Sequence, residues 1–145
     1  MSVPYGGDGP EDDWAGRHAP SLDDIEALAH AAFAGLPPEF RALCPGVIIH
    51  VMDFPDDDTL AEMACDSEFD LLGLFRGIGL AQGGEFTTGQ MPNQVWLYRR
   101  PLLDYWAEHE ETLGHLVTHV LVHEIGHHFG LSDGDMTAIE ARADG

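Results

Sequence analysis

The chain has 145 residues, 26 of them acidic and six basic, giving a formal net charge of −20 at pH 7. That length suits one domain with a core of its own, and so negative a surface repels nucleic acid and anionic lipid, excluding both as partners. No apolar run is long enough for a membrane span. The N-terminus also lacks the basic start and apolar core of a signal peptide, so a cytoplasmic protein is expected, with a monomer as the default state. In that setting Cys44 and Cys65 read as small apolar core residues rather than as a disulfide.

Residues 1–20 are rich in Gly, Pro and Asp without apolar periodicity and read as a disordered acidic arm, leaving 21–145 as the folded domain. Ser21 reads as an N-cap, with Asp23 and Asp24 in the first turn and Leu22, Ile25, Leu28, Ala29, Ala32 and Phe33 at helical spacing. Gly35 and the pair Pro37-Pro38 end that helix, and a short amphipathic piece follows over 39–43. Residues 47–52 are β-branched and bounded by turn residues, which predicts a buried strand. Residues 59–65 suggest a helical turn, and 69–75 form an apolar run of ambiguous type. The glycine-rich stretch 77–93 is either a functional loop beside a cleft or a hairpin with a loose tip.

Residues 94–99 predict a second strand, with Val95 and Leu97 on one face and Trp96 and Tyr98 on the other. Pro101 suits the first turn of a helix carrying Leu102, Leu103, Tyr105 and Trp106. Thr112 caps a further helix that runs to Phe129 and is apolar nearly all round. Residues 134–143 predict a short final helix. The pattern is that of an α+β fold, a small sheet packed on a central helix near the C-terminus.

That central helix carries His123-Glu124-Ile125-Gly126-His127-His128-Phe129-Gly130-Leu131-Ser132-Asp133, which reads H-E-x-x-H-x-x-G-x-x-D. Two histidines four apart share a helix face about 6 Å apart along the axis, so both imidazoles can reach one metal ion. Glu124 lies about 100° round the same helix, close enough to act on water there. Gly130 can end the helix in the left-handed region. The chain can then turn back and offer Asp133 as third ligand, the two-histidine, one-carboxylate set of a catalytic zinc site.

His115, His119, His123 and His127 step by four. Each step climbs ~6 Å and drifts ~40°, so the four cannot share an ion. A ligand pair of His119 and His123 has no glutamate after its first histidine and loses the Gly130–Asp133 geometry, so the motif register is preferred. His119 then falls in an outer or cleft-lining place, and His128 on another helix face. Asp135 is the nearest alternative to Asp133.

Leu97-Tyr98-Arg99-Arg100-Pro101-Leu102-Leu103, followed by His119-Val120-Leu121-Val122 and the motif, resembles the bacterial family of minimal zincin-like metallopeptidases, over roughly residues 21–142. The resemblance implies a compact α+β fold with the metal helix towards the C-terminus. It implies zinc (Zn²⁺) bound by His123, His127 and Asp133, with Glu124 as catalytic acid/base, and a peptide or protein as substrate. Met136 resembles the methionine that underlies the metal in related enzymes, or is an ordinary core residue of the last helix. Candidates for a second oxyanion donor are Tyr98, Tyr105, Arg99 and His119. A zinc peptidase is the first functional expectation. A metal-stabilised, catalytically inactive binding module of the same fold is the second, and metal storage, which would leave Glu124 without a purpose, is the third.

Overall fold

A computed structural model describes residues 14–77 and 92–144. Residues 1–13 of the expected arm and most of the glycine-rich stretch lie outside the described residues. Among the described residues a short 3₁₀ turn, Trp14–Gly16, precedes six helices and three strands in the order α1 (Leu22–Ala34), α2 (Pro38–Arg41), β1 (Ile48–Met52), α3 (Asp57–Glu62), β2 (Gly73–Arg76), β3 (Gln94–Tyr98), α4 (Arg99–Ala107), α5 (Leu113–His128) and α6 (Asp133–Asp144). The fold is α+β, as the residue pattern predicts.

Local chemistry sets most of the boundaries. The Ser21 hydroxyl accepts from the Asp24 N–H while the Asp24 carboxylate accepts from the Ser21 N–H, a reciprocal cap on α1. Asp24 is held below the usual carboxylate range by those bonds. Asp56 caps α3 through the Thr59 N–H, and Thr112 caps α5 through the His115 N–H. Only the end of the ambiguous run, from Gly73, becomes β2, where it pairs with β3. Gly73 sits so close to Val120 and the Trp96 carbonyl that an added Cβ would lie 2.8 and 3.0 Å from them, a contact that admits no side chain.

The sheet has the order β1-β3-β2, with β3 parallel to β1 and antiparallel to β2. Val95 and Leu97 of β3 are fully buried in the core, whereas Trp96 on the opposite face stacks on His50 of β1 at 4.8 Å. This is the two-faced alternation expected of the strand. α5 packs against α1, β2, β3, α4 and α6. Leu116, Val117, Leu121, Val122 and Ile125 have at most 1% exposure, which accounts for a helix apolar nearly all round.

α5 stops where the motif glycine stands. Gly130 has φ +80°, and the Leu131 N–H reaches back to the Gly126 carbonyl at 2.9 Å, closing the helix end. Ser132 and Asp135 then exchange side-chain and backbone hydrogen bonds, which starts α6. Gly126 faces Met136, and His119 and His123 face Glu140, so α6 runs back antiparallel along α5. A Cβ on Gly126 would lie 2.5 Å from the Met136 sulfur, so the glycine permits this close approach. No helix among the described residues is long and apolar enough to cross a membrane.

Candidate functional site

The C-terminal half of α5 presents its polar residues together. The His123 and His127 rings are 5.6 Å apart and nearly perpendicular, the first half-buried and the second exposed. A zinc ion sits roughly 3 Å from the centroid of an imidazole that ligates it, so rings at this separation can flank a single ion. Glu124 is partly buried beside them, and burial pushes its carboxyl up from 4.5 to about 7. A cavity of about 240 Å³ is lined by His119, His123 and Glu124 together with Tyr105, Leu72 and Leu116. A larger cavity, about 840 Å³, lies between residues 14–21 and α1, and none of the motif residues lines it. Chemistry rather than volume therefore locates the site.

Asp133 is the first residue of α6 and is exposed. In an antiparallel hairpin it stands near the turn, level with the end of α5. Glu140, seven residues and two turns further on, stands opposite His119 and His123. The Glu140 carboxylate accepts from His119 Nδ1 at 2.9 Å and from His123 Nε2 at 3.0 Å. Among the described residues, His119, His123 and Glu140 form the group whose possible metal-ligand atoms all lie within 4.8 Å of one another. His127 and Asp133 fall outside that group. The Asp135 carboxylate accepts from the Ser132 N–H at 3.3 Å, within the reciprocal pair that starts α6. The signal for Glu140 is present in the sequence, one helical turn beyond Met136, but it has meaning only once the two helices are paired.

The remaining candidates separate by environment. Tyr105 and His119 line the cavity. Tyr98 is buried, and burial with the charges of Asp56 and Glu124 pushes its hydroxyl up to about 12 against the pull of Arg76. Arg99 is engaged by the Pro20 carbonyl and Asp53 and does not line the cavity. His128 faces inwards, its ring against Phe75 and Phe129. Its Nε2 is buried with no partner among the described residues, and burial lowers its pKa. Met136 is fully buried beneath Gly126. Cys44 is buried and its thiol is pushed up to about 11 by that burial, as befits a core residue.

Glu124 makes the metal-free protein sensitive to pH. Its folded-state pKa lies above the ordinary carboxyl value, so the folded chain holds a proton that the unfolded chain has released between these two pH values. Stability therefore falls as pH rises from about 4.5 and the loss is complete above about 7. Replacing Glu124 by Gln removes the effect. In urea unfolding of the metal-free proteins, the stability of the Gln variant relative to wild type should rise by about 2 kcal/mol between about pH 5 and about pH 8. A difference independent of pH would show that Glu124 is not buried as described.

The family model described as zincin-like metallopeptidase matches residues 44–143. No curated protein matches the chain. The matched span runs from the residues before β1 through the sheet, the H-E-x-x-H helix and most of α6. With more than half of its length matched, the chain belongs to the zincin-like metallopeptidase family.

Proposed function

We propose that this protein is a zinc-dependent peptidase in which His123, His127 and Asp133 hold the metal and Glu124 is the acid/base. The observation that carries the reading is the placement of His123 and Glu124 on one cavity, with the His127 ring 5.6 Å from that of His123. Two imidazoles and a carboxylate are also the donor set that a catalytic zinc site uses. Asp133 is exposed at the start of α6, just past the turn that ends the helix carrying both histidines.

Zinc, when bound, supplies Lewis acidity to the scissile carbonyl and lowers the pKa of a nearby water. The rest is the work of the chain. Glu124 takes the proton of the attacking water and passes a proton to the departing amine. Its partly apolar surroundings favour holding a proton, which suits a group that must gain and lose one. Leu72 and Leu116 give the cavity an apolar wall near Glu124.

The test is cleavage of an unfolded protein substrate by purified enzyme after zinc loading and desalting. The expected result is about one retained zinc per chain and hydrolysis that a chelator stops and zinc restores. Retained zinc with no hydrolysis of any peptide library would replace the enzyme by the inactive binding module.

A further inference from the structure

We propose a second cation position, displaced one helical turn from the motif pair and formed by His119, His123 and Glu140, which takes a divalent transition-metal ion between the two imidazoles and the carboxylate. It shares His123 with the ligand set above and to that extent rests on it. The two oxygens of Glu140 are divided between the two histidines at 2.9 and 3.0 Å. That carboxylate is mostly withdrawn from solvent, its side chain 14% exposed. One ligand atom from each of the three residues lies within 4.8 Å of the other two, so a movement on the order of an ångström brings them around one zinc-sized ion, whose ligand atoms lie about 3.4 Å apart.

The two positions differ in the geometry they offer. The His119 and His123 rings lie 4.0 Å apart and tilted by 30°, whereas those of His123 and His127 stand 5.6 Å apart and nearly perpendicular. Imidazoles this close present neighbouring vertices at a narrow angle, as in six-coordinate sites with two histidines and a carboxylate. The wider, crossed pair suits tetrahedral zinc. Both positions draw on His123, so they compete for it, and one ion per chain is expected.

Equilibrium dialysis with Co²⁺, followed by elemental analysis and visible absorbance, tests the assignment on the wild-type chain, on His127→Ala and on two double variants. The expected result is that His127→Ala, which breaks the motif set, still holds about one Co²⁺ per chain through the second position, and that combining it with His119→Ala or with Glu140→Gln weakens that binding at least tenfold. Unchanged affinity in either double variant overturns the proposal. If His127→Ala alone abolishes binding, the motif ligand set stands by itself and the proposal fails. Two ions per chain overturn the sharing of His123. A wild-type chain that holds no Co²⁺ removes this position and the peptidase reading together.

Discussion

Replacing Glu124 by Gln should lower peptide hydrolysis by roughly a thousandfold while the protein keeps its metal, within the range that loss of a general acid/base produces. The substitution keeps the shape of the side chain and removes its ability to carry a proton back and forth. It leaves His123 and His127 untouched, and Glu124 lies round the helix from both, so affinity for zinc should change little. Kinetics on an unfolded substrate, run beside elemental analysis of the same preparations, separates the two effects. Cleavage that persists unchanged in the Gln variant would belong to a contaminant or to chemistry that does not pass through Glu124. Loss of metal together with activity would instead assign Glu124 to the ligand set.

The second large effect concerns the helix on which the site is mounted. Leu121→Ala should destabilise the protein by about 3 kcal/mol, because truncating a fully buried leucine loses its transfer free energy and leaves a cavity its neighbours cannot close. Leu121 sits mid-helix in α5, which is packed by α1, α4, α6 and the sheet, so no single neighbour is free to collapse into the space. The melting temperature should fall by on the order of 10 °C for a domain of this size. A shift of a degree or two would mean that α5 is not the centre of the core.

Much of this arrangement was legible in the residues because it rests on local chemistry. Ser21 and Thr112 cap helices by reaching N–H groups three residues on, and such contacts need no tertiary structure. The faces of β3 follow from strict alternation, and the buried α5 from its apolar run. His123, Glu124 and His127 share a helix, so their proximity is a matter of spacing alone. What could not be read depends on distant segments meeting. The run that became β2 has no period of its own, and its type is decided by pairing with β3, some twenty residues later. Parallel pairing of β1 with β3 is equally non-local. Glu140 reaches His119 and His123 only because Gly126 lets α6 lie close against α5.

That close approach has a consequence for how an ion is received. With no side chain at Gly126 and Met136 wholly enclosed against it, the two helices that carry every proposed ligand are locked together in the folded chain. The Gly130 turn and the Ser132 cap fix the angle between them. The conformational entropy of bringing the ligands together is thus lost during folding rather than at the moment of binding. Small zinc domains that fold only on taking up metal couple the two events. Here the helices that carry the ligands are held together by the apolar contact of Gly126 with Met136, so the donors are brought side by side by packing that involves none of them.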